Sequence, residues 1–245
     1  MDNNNNLLLK PHSLIVGASS GIGYSLAKRL SKSHQVTAVA RRLEKLDHLK
    51  KFGVKTLELD VTDEINFRES IKRIVIDTGK LDNAIYCAGF QKIKPMRSVN
   101  DDDIAKIMKT NLIGPMILGS LFGTNRISKN DATFCVVSSI AAIRPEPGIV
   151  PYSVSKAGLN ALIKGMAVEL APRRIVGVAP GWLDTELTSK LSHIYNDDFL
   201  ENLRNSSPLG IADIDSIIDC IEFLLSNQAK FITGQIITVD GGSSL

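Results

Sequence analysis

The sequence contains no apolar run close to the roughly 18 to 20 residues that a helix needs to cross a bilayer. Its start also lacks the pattern of a signal peptide, because residues 1–12 hold an aspartate, a run of asparagines and only three consecutive leucines. We therefore expect a cytoplasmic protein with no membrane partner. We interpret residues 1–12 as a disordered lead-in.

Cysteine is scarce as well. The three cysteines, Cys87, Cys135 and Cys220, are widely separated and each lies in an apolar run, which is typical of buried reduced thiols and not of disulfides or metal ligands. The four histidines show no ligand spacing. The sequence therefore predicts no metal site.

The sequence also lacks a large net charge of either sign. The 29 basic and 26 acidic residues leave a net charge of +3, and the basic residues are scattered, so a nucleic-acid partner is not indicated. A chain of 245 residues with 44% hydrophobic content can bury one sizeable core. We expect a single domain over residues 13–245 that binds a partner of substrate size.

A glycine-rich turn follows the first predicted strand, residues 13–16, and precedes a helical pattern over residues 24–32. Glycines permit positive φ and close approach of a ligand, and the free N–H groups at a helix start attract a pyrophosphate. The spacing is G-x-x-x-G-x-G, which differs from the G-x-G-x-x-G of other dinucleotide folds. The turn predicts cofactor contacts from Gly17, Ser19, Ser20, Gly21, Ile22 and Gly23.

The same turn also fits G-x-S-x-G, the nucleophile elbow of α/β hydrolases. That class needs an acidic residue and then a late histidine, yet the only histidine after residue 48 is His193, in a polar segment with no strand before it. The elbow would also lie on the first strand, with no earlier strands to form the middle of a sheet. The sequence therefore disfavours a hydrolase.

The second predicted strand, residues 36–40, ends in Arg41 and Arg42 and not in an acidic residue. At this point of a dinucleotide fold an acidic side chain favours the free ribose 2′-hydroxyl, whereas arginine favours a 2′-phosphate. The pattern predicts NADP(H) over NAD(H), with Arg41 as the leading contact and Arg42 available to stack on adenine. Alternatively, both arginines only open a solvated helix.

Strands and helices of similar size alternate further along the chain. Strands are predicted over residues 55–59 and 81–86, with a helix over 64–78 between them and another over 101–123 that contains Asn111. Such alternation requires crossover connections and gives a parallel sheet with helices on both faces. The sequence predicts an α/β fold, a three-layer doubly wound parallel sheet.

Tyr152 and Lys156 are four residues apart in a helical run of about twenty residues between Pro151 and Pro172, so they share one face. An ammonium beside a phenol stabilises the phenolate and makes the tyrosine a usable proton donor or acceptor near neutral pH. Ser139 follows the predicted strand over residues 134–137 and can reach a helix packed alongside. Taken alone, the pair also fits a half-buried tyrosine with a solvated lysine.

Taken together, these motifs resemble the compact, single-domain branch of the short-chain dehydrogenase/reductase family and are similar to 3-oxoacyl-carrier-protein reductases. The likeness covers about residues 12 to 245 and rests on VGASSGIG at 16–23, DV at 60–61, CAG at 87–89, Asn111, Ser139, YSVSK at 152–156, PGWLDT at 180–185 and FITGQIITVDGG at 231–242. The resemblance implies a Rossmann-type fold and an active site of Asn111, Ser139, Tyr152 and Lys156.

The resemblance also implies roles for these residues. Tyr152 protonates the carbonyl oxygen as hydride arrives, Ser139 hydrogen-bonds that oxygen, and Lys156 lowers the pKa of Tyr152 and contacts the ribose. Asn111 holds a water that relays protons. Further cofactor contacts are implied for Asp60, Val61, Cys87, Ala88, Gly89, Tyr152, Lys156, Pro180, Gly181, Leu183 and Thr185.

The expected function is NADP(H)-dependent reduction of a ketone or a 3-oxoacyl group. The alternatives are an oxidative alcohol or steroid-type dehydrogenase and a catalytically idle dinucleotide-binding sensor or scaffold. The resemblance implies a homo-oligomer, either a dimer or a tetramer. It also implies a small-molecule or acyl-carrier substrate. Lys129 and Arg173 are candidate contacts at the pocket mouth for an acidic acyl carrier. A substrate lid is expected over residues 183–208. Its apolar side chains recur near helical spacing and either close over the pocket, which favours a hydrophobic substrate, or pack in the ordinary way. They are Leu187, Leu191, Ile194, Tyr195, Phe199 and Leu203.

Two departures from the family pattern lie beside the cofactor loop. Val16 stands where threonine is common, and Tyr86 and Cys87 replace a frequent pair of asparagines. Both changes remove polar contacts that brace this loop in relatives. We therefore expect weaker cofactor binding, with the backbone contacts retained.

Overall fold

The computed structural model describes residues 10–183 and 197–245. Within them, seven strands form one sheet in the order β3-β2-β1-β4-β5-β6-β7, and every neighbouring pair is parallel. The strands are β1 (His12–Val16), β2 (Gln35–Ala40), β3 (Lys55–Glu58), β4 (Leu81–Tyr86), β5 (Ser128–Val137), β6 (Arg174–Pro180) and β7 (Ile236–Val239).

Helices connect the strands and cover both faces of the sheet. They are α1 (Gly21–Leu30), α2 (Leu43–Lys50), α3 (Glu64–Thr78), α4 (Asp101–Met108), α5 (Gly114–Phe122), α6 (Val150–Glu169), α7 (Asp197–Ser206) and α8 (Ile214–Leu225). Apolar side chains of α1, α2 and α8 pack on one face, and those of α3, α5 and α6 pack on the other. None of the described helices is both long enough and apolar enough to cross a membrane.

The core follows from the alternation of side chains along each strand. In β1, Leu14 and Val16 belong to the cluster on one face and Ile15 to the cluster on the other, and all three are buried. Burial on both faces is what a continuous apolar strand in a parallel sheet requires. The predicted three-layer doubly wound fold is confirmed, and the strand order reverses between β1 and β4, which opens a crevice at their carboxyl ends.

The predicted helix over residues 101–123 is present but irregular, because a π-helical turn, Lys109–Ile113, lies between α4 and α5. Pro115 lacks the N–H that would bond the Asn111 carbonyl in a regular α-helix, and the Tyr86 hydroxyl donates a 2.7 Å hydrogen bond to the Thr110 carbonyl of the turn. A Cβ on Gly114 would overlap that hydroxyl, so glycine is required there. Tyr86 therefore supplies a buried polar brace where its departure from the family pattern predicted none.

The hypothesis that Lys129 and Arg173 meet a substrate at the pocket mouth is wrong. Both lie at the amino-terminal ends of β5 and β6, and six residue steps of β6 separate this edge from the crevice by about 20 Å. Lys129 pairs with Asp82 at 2.7 Å. Arg173 is buried and its Nε donates to the Ser128 hydroxyl at 2.7 Å, so it holds strand ends together.

Two histidines lie in a polar network at that same amino-terminal edge. The His12 ring contacts the Gly79 carbonyl at 2.9 Å and the Thr37 hydroxyl at 3.0 Å. The His34 ring contacts the Ser13 hydroxyl at 2.7 Å. Burial lowers the pKa of both imidazoles below the usual value, so the folded chain favours their neutral forms.

Acidification is therefore expected to destabilise the fold through these histidines. A folded pKa below the unfolded value of 6.5 means that the unfolded chain binds more protons, so their contribution is complete above pH 6.5 and is lost as pH falls below it. Denaturant unfolding of wild type and of His12→Gln at pH 7.5 and 5.0 measures this loss. We expect the wild type to lose more stability than the variant between these two pH values.

The exposed His48 provides the control. His48→Gln is expected to lose as much stability between the two pH values as the wild type. An equal loss in wild type and His12→Gln would contradict the assignment of the effect to His12.

Candidate active site

A first cavity of about 400 Å³ lies at the carboxyl ends of β1, β2 and β4, at the point where the strand order reverses. Parallel sheets of this type bind ligands at this position. The structure gathers here most of the residues predicted to hold the adenosine and pyrophosphate of a dinucleotide, namely Gly17, Ser19, Ser20, Arg41, Arg42, Asp60, Val61, Cys87, Ala88 and Gly89.

The glycine-rich turn forms the floor between β1 and α1. Gly17 has a φ of +90°, and a Cβ on it would overlap the Ala88 backbone nitrogen, so only glycine fits there. The first amides of α1 have no acceptor within the helix, and the Ser20 hydroxyl makes no capping bond to them. Gly21 and Gly23 start this helix and line neither cavity. The turn thus presents free N–H groups, the arrangement that holds a pyrophosphate.

Arg42 reaches across the turn. Its Nη2 donates to the Ser19 hydroxyl at 3.0 Å and to the Ser20 hydroxyl at 3.4 Å, and the residue is half-buried. Arg41, which the sequence predicted to be the leading contact, also lines the cavity but is exposed. The structure therefore holds the Arg42 guanidinium beside the phosphate-binding turn more firmly than that of Arg41.

Asp60 closes the turn that follows β3. Its Oδ1 accepts from the Thr62 backbone N–H at 2.9 Å and from the Thr62 hydroxyl at 2.8 Å. This turn places Asp60 and Val61 together on the wall of the first cavity. Both residues lie where the resemblance implied an adenine contact.

A second cavity of about 280 Å³ adjoins the first, and Cys87, Gly89 and Gln91 line both. The second cavity collects three of the four predicted catalytic residues and most of the predicted contacts to the nicotinamide end. These are Ile22, Ser139, Tyr152, Lys156, Pro180, Gly181 and Leu183. The predicted site therefore consists of two adjoining compartments that share part of their lining.

Lys156 is buried at the base of the second compartment. Its Nζ donates to the Val137 carbonyl at the end of β5, at 2.8 Å, and lies 5.6 Å from the centre of the Tyr152 ring. Burial lowers the pKa of this amine to about 8. The buried thiol of Cys87 stays neutral, since burial raises its pKa to about 12, and it provides no counter-ion.

Ser139 follows β5 on the same wall. Its backbone is extended, with a φ of −165°, and its hydroxyl accepts the Ala141 N–H at 3.1 Å as the cap of a short 3₁₀ turn, Ile140–Ala142. That bond uses a lone pair and leaves the hydroxyl proton free to be donated. The preceding Ser138 is fixed by its N–H bond to the Val178 carbonyl at 2.7 Å.

Asn111 lies in the π-helical turn, buried behind α6. Its side chain accepts from the Phe90 N–H at 2.8 Å and donates to the Phe90 carbonyl at 2.9 Å and to the Ser155 hydroxyl at 3.0 Å. Ser155 in turn donates to the Tyr152 carbonyl at 2.6 Å. The side chain of Asn111 therefore joins the loop after β4 to the helix that carries Tyr152 and Lys156.

Several residues of the second compartment were not found by sequence reasoning. Arg144 and Glu146 line it from the loop before α6, and Ser243 lines it from the carboxy-terminal tail. An Arg144 Nη1–H donates to the Ser243 carbonyl. The Asp240 carboxylate folds that tail by accepting the Ser244 N–H at 2.8 Å. No periodicity or motif links residues 99 positions apart, so the sequence held no signal for this wall.

Part of the predicted site lies outside the described residues, namely Thr185 and the lid residues Leu187, Leu191, Ile194 and Tyr195. Of the lid side chains that the structure describes, Phe199 and Leu203 of α7 line the second compartment. The Phe199 ring lies 6.5 Å from that of Trp182. In the described part of the chain, no group of three His, Cys, Asp or Glu side chains could hold a metal ion.

Comparison with known proteins matches residues 17–244 to a family described as enoyl-(acyl carrier protein) reductase. Gluconate 5-dehydrogenase of Gluconobacter oxydans is 30% identical over 239 residues, 94% of this chain and 93% of that protein. A 3-oxoacyl-[acyl-carrier-protein] reductase of Rickettsia prowazekii is 33% identical over 234 residues, 94% of this chain and 95% of that protein.

A similar fold is found among solved structures. The structure of 4-hydroxyisoleucine dehydrogenase complexed with NADH superposes with a TM-score of 0.87 at 28% identity, covering 95% of this chain and 98% of that one. The chain therefore matches these proteins over nearly its whole length.

Proposed function

The chain belongs to the short-chain dehydrogenase/reductase family and is an oxidoreductase, and from that premise we propose that it reduces a ketone or a 3-oxoacyl group to a secondary alcohol with NADP(H). The observation that carries the proposal is the second compartment. There Ser139, Tyr152 and a buried Lys156 line one space that opens onto the glycine-rich turn.

The residues that line the first compartment are chemically suited to bind the adenosine and pyrophosphate of a nicotinamide dinucleotide. The free amides of the turn suit the pyrophosphate, and Asp60 and Val61 suit the adenosine. Lys156 and Gly181 line the adjoining space at the nicotinamide end. When bound, the cofactor supplies or accepts the hydride at the substrate carbon.

The chain's own residues handle the proton. Ser139 donates a hydrogen bond to the carbonyl oxygen of the substrate, and the Tyr152 hydroxyl transfers its proton to that oxygen as the alcohol forms. The Lys156 ammonium stabilises the phenolate that remains on Tyr152. In the oxidative direction the same phenolate takes the proton back from the alcohol.

Two observations support NADP(H). The two residues directly after β2 are arginines and not carboxylates. Arg42 is held beside Ser19 and Ser20, where its guanidinium can pair with a 2′-phosphate. NAD(H) is the alternative, since 4-hydroxyisoleucine dehydrogenase is complexed with NADH.

A second candidate is an oxidative dehydrogenase that acts on a polar alcohol. The charged side chains of Arg144 and Glu146 on the wall of the second compartment favour it, as does the similarity to gluconate 5-dehydrogenase. The apolar side chains of Phe199 and Leu203 on the same compartment favour an acyl substrate instead.

We include three further features in the proposal: a catalytic domain over residues 13–245, a cytoplasmic location and a homo-oligomer. Exposed apolar side chains on α4, α5 and α6 support self-association, since Ile104, Met116 and Val154 are 39%, 46% and 55% exposed.

Removal of the Tyr152 hydroxyl tests the proposal directly. In Tyr152→Phe we expect kcat for ketone reduction to fall at least about 100-fold, because no other described group holds the proton at that position. The dissociation constant for NADPH should stay within about threefold of wild type, since the backbone contacts remain. Stopped-flow absorbance of the reduced nicotinamide and a fluorescence titration measure the two quantities.

Tyr24→Phe, at a half-buried tyrosine outside both cavities, is the matched control and should leave kcat unchanged. Full turnover in Tyr152→Phe would reject Tyr152 as the proton donor. Wild type that binds NADPH but reduces neither a ketone nor a 3-oxoacyl thioester would instead support the catalytically idle sensor or scaffold.

Arg42→Ala tests the cofactor preference. We expect it to weaken NADPH binding about 10- to 100-fold and NADH binding by less than about threefold, because only NADPH carries the 2′-phosphate. Arg41→Ala, an exposed neighbour, is the matched control and should have the smaller effect. Equal losses for both nucleotides in Arg42→Ala would refute the 2′-phosphate assignment.

The pKa of Lys156 sets the expected pH dependence. Because burial lowers this pKa to about 8, the ammonium is present below pH 8 and is lost above it. The kcat for ketone reduction should be level up to pH 8 and then fall about tenfold per pH unit. A profile measured from pH 6 to 10 that stays flat throughout would remove the ammonium from the mechanism.

A further inference from the structure

Gln91 lies at the junction of the two compartments and lines both. It is half-buried, and its side-chain amide makes no hydrogen bond to any residue that the structure describes. A primary amide both donates and accepts hydrogen bonds. An amide without a partner, facing a cavity beside the reacting groups, is available to a ligand.

The backbone on the amino-terminal side of Gln91 is fixed. Asn111 bonds both the N–H and the carbonyl of Phe90, at 2.8 and 2.9 Å. The Lys106 ammonium lies 4.6 Å from the centre of the Phe90 ring. The residue directly before Gln91 is therefore held from both its backbone and its side chain.

The backbone on the carboxy-terminal side is fixed as well. The buried Asp103 carboxylate accepts from Lys92 at 2.6 Å and from Lys94 at 2.5 Å. The Lys94 N–H donates to the Gly148 carbonyl at 2.9 Å, which ties this loop to the loop before α6. Because the backbone is held on both sides, only the side-chain torsions of Gln91 remain to be ordered when it binds a ligand.

We propose that Gln91 is a specificity-determining residue that hydrogen-bonds a hydroxyl group close to the reacting carbon, so that the substrate is a hydroxylated ketone and not a simple hydrocarbon one. The inference rests on the proposed function and names its substrate class. A hydroxyl matches an amide because it also donates and accepts. A substrate without that hydroxyl would leave the amide unpaired, which a site built for hydrogen bonding penalises.

The rest of the second compartment agrees with such a substrate. Arg144 offers donors, Glu146 offers acceptors, and Ser206 offers both. Arg144 and Glu146 lie on the loop that Lys94 bonds through Gly148. The polar walls and the Gln91 loop thus form one connected surface around the reacting end.

The test compares two ketones of equal chain length that both carry a carboxylate, 5-oxohexanoate and its hydroxylated counterpart 5-oxogluconate. We expect wild-type kcat/KM to favour 5-oxogluconate by at least about tenfold. In Gln91→Leu, kcat/KM for 5-oxogluconate should fall about 10- to 100-fold, and that for 5-oxohexanoate by less than about threefold. Calorimetric binding of 5-oxogluconate to the NADP⁺ complex should weaken in parallel.

Gln228→Leu, at an exposed glutamine remote from both cavities, is the matched control and should behave as wild type. Gln91→Asn keeps the amide and shortens its reach, so it should show an intermediate loss. If Gln91→Leu does not fold, Gln91→Asn alone decides the question by the ratio of its losses on the two ketones.

Three results would overturn the proposal. Equal losses on both ketones would mean a structural role for Gln91, and weaker NADPH binding with unchanged discrimination would mean a cofactor contact. Wild type that reduces 5-oxohexanoate but not 5-oxogluconate would reject the hydroxylated substrate and leave the reductase intact. The failure of the proposed function itself looks different, since wild type would then bind NADPH and turn over neither of these ketones nor a 3-oxoacyl thioester.

Discussion

The structure depends above all on the burial of one amine. Lys156 is removed from water at the base of the second compartment, where its Nζ is held by the Val137 carbonyl and not by a carboxylate. A carboxylate partner would stabilise the ammonium and hold its pKa high, whereas burial alone brings that pKa to about 8. The helix, the strand end and the loop after β4 all serve to place this amine beside Tyr152.

The π-helical turn between α4 and α5 connects the two compartments. Tyr86, at the end of β4, donates a hydrogen bond to the Thr110 carbonyl. Asn111, the residue after Thr110, forms hydrogen bonds to Phe90 and Ser155. Tyr86, which stands where the family usually has an asparagine, is thus part of the scaffold. One local distortion of a helix fixes the loop that carries Gln91 and the helix that carries Lys156.

Local signals in the sequence were enough to predict most of the fold. The bounds of α3 and β4 follow from apolar periodicity and turn residues, and the alternation of elements predicted the parallel sheet. Pro115 is a local signal for an irregularity in the helix over 101–123, but the hydrogen bond from Tyr86 to Thr110, 24 residues away, could not be predicted. Three other features also depend on segments that are distant in the sequence and could not be predicted for that reason. They are the position of Arg42, and not Arg41, beside the glycine-rich turn, the contact of Arg144 with the carboxy-terminal tail, and the position of Gln91 between the two compartments.

The central claim is that this site moves a hydride between nicotinamide and a carbonyl carbon while Tyr152 moves the proton. The most direct measurement is incubation of the protein with NADPH deuterated at the transferable position and a ketone substrate, followed by mass spectrometry of the alcohol. The account predicts one deuterium on the carbinol carbon of the product, and at least about 100-fold slower formation of the same labelled alcohol when Tyr152→Phe replaces the wild type. Alcohol product without that deuterium, or no product from any ketone in the presence of bound NADPH, would contradict it.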